Sequence, residues 1–156
     1  MIQLRDLNRD NWRACAGLAL PAEQEKLVAP NVWSIAEAGF EPQYRPRVIC
    51  LDETIIGFLM YCAETDPPDP TLFWLFRFML APGFQGRGHG TEALRLALEE
   101  MKAAGATRVR TMHKPGNVAA SRLYRRLGFR EIGTLDDGDI ELEIPVAASV
   151  VPDLED

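Results

Sequence analysis

The stretch Gln85–Gly90, QGRGHG, restricts this chain more than any other. It follows an apolar run, Leu72–Leu80, and opens an amphipathic segment, Thr91–Met101. A strand, a glycine-rich turn and a helix in that order aim backbone N–H groups and a positive helix end at one anion. Glycines at 86, 88 and 90 let the main chain approach a ligand without Cβ atoms in the way. The pattern predicts a cradle for a diphosphate. A dinucleotide fingerprint begun at Gly86 would need glycine where Thr91 stands, and no Gly-Lys-Ser/Thr triplet of a P-loop occurs.

The rest of the chain alternates between strand and helix signals. Ile2–Leu4 reads as a first strand, followed by a helix from Trp12 to Leu18. A second short helix is expected over Ala22–Ala29, and a third over Val32–Ala38, capped by Asn31 and closed by Gly39. Arg47–Leu51 and Thr54–Tyr61 flank Asp52-Glu53 as a hairpin. The prolines of Thr65–Pro70 (TDPPDP) predict a surface excursion before the strand Leu72–Leu80. The helix after the cradle carries Leu94, Leu98 and Met101 on one stripe and stops at Gly105. Thr107–His113 is a strand, and Asn117 opens a helix through Leu127 with Val118, Leu123 and Leu127 as its buried stripe. Phe129–Ile132 and Ile140–Ile144 close the chain around an Asp-Asp-Gly turn. Adjacent hairpins with one crossover argue for an α/β sandwich on a mixed sheet. Residues 1–145 read as a single domain and 146–156 as an acidic, frayed C-terminal tail.

Composition narrows the class. No apolar run is long enough for a membrane helix, and the N-terminus lacks a signal-peptide core, so a cytoplasmic protein is expected. Cys15, Cys50 and Cys62 are odd in number and set among apolar neighbours, which reads as buried thiols in a reducing compartment. With two separated histidines besides, no metal site is expected. The net charge of −6 is unevenly spread: residues 101–130 carry eight bases and no acid, and residues 1–70 carry eleven acids against six bases. A basic half suits a phosphate-rich ligand and an acidic half a cationic one, while the acidic total argues against nucleic acid.

Two motifs together carry a resemblance. Gln-x-x-Gly-x-Gly after Leu80-Ala-Pro, and Asn117-x-x-Ala-x-x-Leu-Tyr followed by Leu127-Gly-Phe, are similar to the GNAT superfamily of N-acetyltransferases over Ile2–Ile144. That resemblance implies an α/β fold, a mixed central sheet of about six to seven strands with helices on both faces. It implies acetyl-CoA as cosubstrate, transfer to an amine by direct attack in a ternary complex, and no metal. Met79 and Leu80 would present backbone groups to the pantetheine arm. Gln85, Gly86, Arg87, Gly88, His89, Gly90 and Thr91 would hold the diphosphate. Asn117 would cap its helix, hold the pantetheine, or do both. Tyr124 would be the general acid, because a phenol stays protonated at neutral pH until the thiolate leaves.

The resemblance implies a primary amine as acceptor. Glu23–Pro42 and Arg77–Gly90 resemble bacterial spermine/spermidine acetyltransferases of the Blt type, which implies a polyamine such as spermidine or spermine. Glu25, Glu37 and Glu41 would then meet the cation. The strand Leu72–Leu80 has no carboxylate to serve as base, only Arg77, which could pair with an acid or orient an acidic acceptor. Glu37, Glu41 or Glu64 through water, or His113, could take the amine proton. Another amine (an aminoglycoside, an amino acid, a protein N-terminus) or an acyl-CoA sensor without turnover are the other readings. An exposed sheet edge could build a homodimer.

Overall fold

Seven strands form one sheet in the order β1-β2-β3-β4-β5-β7-β6. They are β1 (Ile2–Asp6), β2 (Arg45–Leu51), β3 (Thr54–Thr65), β4 (Pro68–Leu80), β5 (Arg108–His113), β6 (Arg130–Thr134) and β7 (Ile140–Pro145). Every pairing is antiparallel except β4 with β5. That single parallel step needs a crossover, supplied by α3 (His89–Ala103). The other helices are α1 (Trp12–Ala16), α2 (Asn31–Phe40) and α4 (Val118–Leu127). The computed structural model describes residues 1–146, so the expected C-terminal tail lies almost wholly outside the described residues.

The sheet buries a core on each face. On one side α3 and α4 pack Leu94, Ala97, Met101 and Tyr124 against Ile49, Ile56, Leu59, Leu75, Val109 and Leu142. On the other, Cys15 of α1 and Ile35 and Ala38 of α2 cover Val48, Phe58, Met60 and Met79. Polar side chains fix α3 to the sheet. Arg47 donates to Glu100 Oε1 from Nε (3.2 Å) and Nη2 (2.8 Å), pairs with Asp6, and Tyr61 donates to Glu100 Oε2 at 2.8 Å. Burial and Glu100 together push the Tyr61 phenol pKa up, so it serves as a permanent donor.

Several local expectations are corrected. Only Ala22–Gln24 is helical, as one 3-10 turn, in place of a helix to Ala29; it buries no side chain, and Leu27, Val28 and Ala29 line a cleft instead. Asn31 does not cap α2. It lies inside the helix, buried, and its Nδ2 donates to the Cys15 carbonyl (2.9 Å) and the Met79 sulfur (3.4 Å). Gly39 does not end that helix, which runs to Phe40. Val118 is 57% exposed, outside the buried stripe of α4. Cys62 is only half-buried, whereas Cys15 and Cys50 are buried thiols.

The proline-rich stretch is part of the ladder, with Thr65 paired to Pro68 and Glu64 to Asp69. There β4 has not yet met β5, whose pairing starts at Leu72, so the stretch is an edge on that side and a proline costs no bond to β5.

Gly57 on β3 faces Leu80, and a Cβ there would run into the Met79 carbonyl oxygen and lie 2.8 Å from the Leu80 side chain. Gly57→Ala should therefore cost about 1–3 kcal/mol through overpacking. The denaturant midpoint would fall accordingly; an unchanged midpoint would show that β4 shifts without cost.

Candidate active site

The β4–β5 ladder runs only from Leu72/Arg108 to Leu75/Thr111, closed by Thr111 Oγ1 donating to the Leu75 carbonyl at 2.8 Å. Beyond it Phe76–Leu80 and Met112–His113 are no longer paired with each other and line a cleft of about 600 Å³. The loop before α3, one face of α4 from Ala119 to Arg126 and the β6–β7 loop complete its walls.

The glycine loop is shaped as its sequence implies. Gly86 (φ 75°) and Gly88 (φ 84°) adopt conformations that L side chains rarely take, and Gly88 is the N-cap of α3. No side chain caps this helix. Among the described residues, no protein acceptor takes the backbone N–H of residues 86–91. Gly90 is buried where a Cβ would press on Leu123 (3.3 Å) and on Leu80 and Phe78 (3.4 Å each), so the helix start sits tight against β4 and α4. The result is a row of free donors at the positive end of a 15-residue helix. Gly86, Gly88, Gly90 and Thr91 line the cleft; Arg87 is exposed, His89 half-buried, and neither faces it. Lys114, Arg122 and Arg126 line it instead, cations that sequence reading assigned only to a general basic half.

Gln85 works as a clasp. Its Nε2 donates to the Leu80 carbonyl (2.9 Å), and its amide exchanges hydrogen bonds with Gln24 at 3.1 Å. The loop is thereby tied to both the end of β4 and the 3-10 turn. Met79 and Leu80 lie along the same wall, each nearly buried. Asn117 Oδ1 accepts from the Ala120 N–H at 3.1 Å, the capping geometry, and Asn117 also lines the cleft. Gly128, at φ 111°, ends α4 in the left-handed conformation.

Tyr124 projects from α4 into this wall, 5% exposed, with Phe129 edge-on at 5.5 Å and His113 stacked at 6.5 Å between centroids. Burial pushes its phenol pKa up, and the neighbouring Thr111 hydroxyl offsets part of that. His113 Nδ1 lies 2.8 Å from the Lys114 carbonyl oxygen. A carbonyl only accepts, so Nδ1 carries a ring proton, and in the neutral ring Nε2 is the lone-pair acceptor. That Nε2 is buried and has no protein partner, on a side chain that lines the cleft.

At the acceptor end the acids are rearranged relative to expectation. Glu37 is bound to Arg77 at 2.9 Å; Arg77 lines the cleft and Glu37 does not. Glu41 is exposed and accepts from Gln43, and Glu25 is exposed, with neither on the cleft. Asp137 and Asp139 of the β6–β7 loop do line it. Sequence reading took Asp137 as part of an Asp-Asp-Gly turn and gave Asp139 no role, and only the pairing of Ile140 with His113 brings them beside the cleft. No helix among the described residues is long and apolar enough to cross a membrane.

The family model for the Acetyltransferase (GNAT) family matches residues 2–129. The spermine/spermidine N(1)-acetyltransferase of Bacillus subtilis (strain 168) is 26% identical over 139 residues, covering 86% of this chain and 91% of the relative. A crystal structure of the aminoglycoside acetyltransferase AAC(6')-Ib in complex with coenzyme A superposes with a TM-score of 0.78 at 19% identity, covering 93% of this chain and 95% of the other. The spermidine N-acetyltransferase from Vibrio cholerae, in complex with CoA and spermine, gives a TM-score of 0.75 at 17% identity, covering 92% and 95%.

Proposed function

This chain belongs to the Acetyltransferase (GNAT) family, and on that footing we propose that it transfers acetyl from acetyl-CoA to a primary amine of a polyamine such as spermidine. The row of unpartnered amides at 86–91, on the same cleft as the buried Tyr124, is the observation that carries this reading. The site fits the donor. Gly86 and Gly88 present the amides, Gly90 keeps the helix start against β4, and Lys114, Arg122 and Arg126 supply positive charge. The chain then needs only to align the two reactants and move protons, since a thioester is already activated.

The Tyr124 phenol donates its proton to the departing sulfur. The amine proton goes to His113 Nε2, the buried acceptor on the same cleft. Asp137 and Asp139 draw the cationic amine to the mouth, and the Arg77–Glu37 pair stiffens the opposite wall. Polyamine is favoured over other amines by the 26% identity to the Bacillus subtilis spermine/spermidine N(1)-acetyltransferase.

A thiol-release assay with acetyl-CoA and a panel of amines (spermidine, butylamine, an aminoglycoside, an amino acid) tests the reading. Spermidine should give the highest kcat/KM, and His113→Gln should lower kcat with little change in KM. Better turnover of an aminoglycoside would replace the acceptor. Cofactor binding without thiol release for any amine would leave an acyl-CoA sensor.

A further inference from the structure

A second cavity, about 270 Å³, lies along the β3–β4 hairpin and shares Phe76, Met112 and Leu135 with the main cleft. The two are therefore neighbours, with these three residues between them. Rings of Tyr44, Trp74 and Phe76 wall the second cavity, Tyr44 and Phe76 meeting edge-on at 4.8 Å. Its one acid is Glu64, half-buried, which among the described residues forms no hydrogen bond and no ion pair. The other half-buried carboxylates on strands near it are already engaged: Asp69 with Arg108, Glu141 with Arg110, Glu143 with both arginines.

Aromatic faces around an unpaired carboxylate favour a cation over any neutral or anionic group. The neighbouring cations are neutralised within the protein. Arg77 lies over Phe76 and is paired with Glu37, and Arg110, 5.9 Å over the Trp74 ring, is paired with Glu141 and Glu143. Burial first, then the charge of Glu64, pushes the Cys62 thiol in this cavity up to about 11. Cys62 is opposite Trp74 in the ladder. Glu64 is two residues beyond Cys62, and Phe76 two residues from Trp74 in the other direction along the sheet. Glu64 and Phe76 therefore stand on opposite sides of the Cys62–Trp74 pair, toward the two ends of the cavity.

We infer that this cavity is the subsite for the distal ammonium of a di- or polyamine, with Glu64 as its counter-charge and Tyr44, Trp74 and Phe76 as its walls. The reacting amine then lies across Phe76 and Met112, in the main cleft. The inference rests on the acetyl-transfer reading above and adds what selects the acceptor: a second positive charge far along its chain.

Steady-state thiol release with spermidine and with butylamine, which has no second cation, separates the possibilities. Glu64→Gln should raise KM for spermidine about tenfold with kcat within about twofold, and leave KM for butylamine unchanged. Tyr44→Leu should raise the spermidine KM several-fold, and Tyr44→Phe should restore it. An unchanged spermidine KM in Glu64→Gln overturns the subsite, as does an equal rise for both amines. An equal loss of kcat for both would mark Glu64 as a base and also overturn it. Wild-type protein that acetylates butylamine as well as spermidine sinks this inference and the polyamine preference with it, and leaves acetyl transfer to an amine standing. Protein that binds CoA but acetylates no amine sinks the parent reading too.

Discussion

Replacing Tyr124 by phenylalanine is expected to lower kcat about 100-fold or more while leaving the Kd for CoA within about twofold. The ring is buried between Phe129 and His113, so the phenylalanine fills the same space and the packing of α4 is kept. What disappears is one proton donor. Burial holds the phenol pKa above its ordinary value of about 10, so it is fully protonated through the neutral range. The wild-type rate should accordingly show no alkaline limb from this group below about pH 10. A group with a raised folded pKa stabilises the fold below its unfolded pKa and loses that contribution as pH rises through the folded one. Tyr124 therefore weakens stability only in strongly alkaline solution. Isothermal titration with CoA and stopped-flow thiol release measure the two halves of the prediction. Full turnover in Tyr124→Phe would remove the phenol from the chemistry, and a lost CoA affinity would make it a packing residue.

The shape of the glycine loop could be read in one dimension because it is set mostly by the backbone. Glycines at 86, 88 and 90 are demanded by local conformation and close packing, and Asn117 caps the helix its own residue opens. The sheet was legible for a similar reason, since the apolar runs of β2, β3 and β4 keep their identity whatever packs on them. The acceptor side is different. The sequence offered Arg77 an acid of the N-terminal helices as partner without saying which, and the fold supplies Glu37 at 2.9 Å, 40 positions away. Asp137 and Asp139 belong to a turn until the pairing of β5 with β7 brings that turn to the cleft. Glu64 gained its setting only because the proline-rich stretch joins the ladder, which puts Cys62 and Trp74 side by side. Asn31 follows the same rule: local capping preference lost to a buried amide that bridges α1 and β4. Long-range pairing decides which polar side chains are spoken for, and no periodicity encodes it.

Gly88→Val should weaken CoA binding about tenfold and leave the unfolding temperature within a few degrees. The Gly88 backbone sits at φ 84°, and a Cβ there would meet nothing within 4 Å. Space is not the obstacle; conformation is. An L residue in the left-handed region costs about 1–2 kcal/mol, and a β-branched one is at the upper end. In the free protein this exposed loop relaxes to negative φ, which turns the amides of 86–91 away from the cleft. Binding must then restore the strained form, and each 1.4 kcal/mol of that is a factor of ten in Kd. Gly105→Val is the control, because Gly105 has φ 111°, only an ordinary contact with the Pro70 carbonyl at 3.7 Å, and a place just past the C-terminal end of α3, off the cleft. It carries the same strain and should leave CoA affinity alone. Calorimetry on both variants decides the matter. Equal CoA affinities in Gly88→Val and wild type would mean that the diphosphate is held by Lys114, Arg122 and Arg126, with the amide row as bystander.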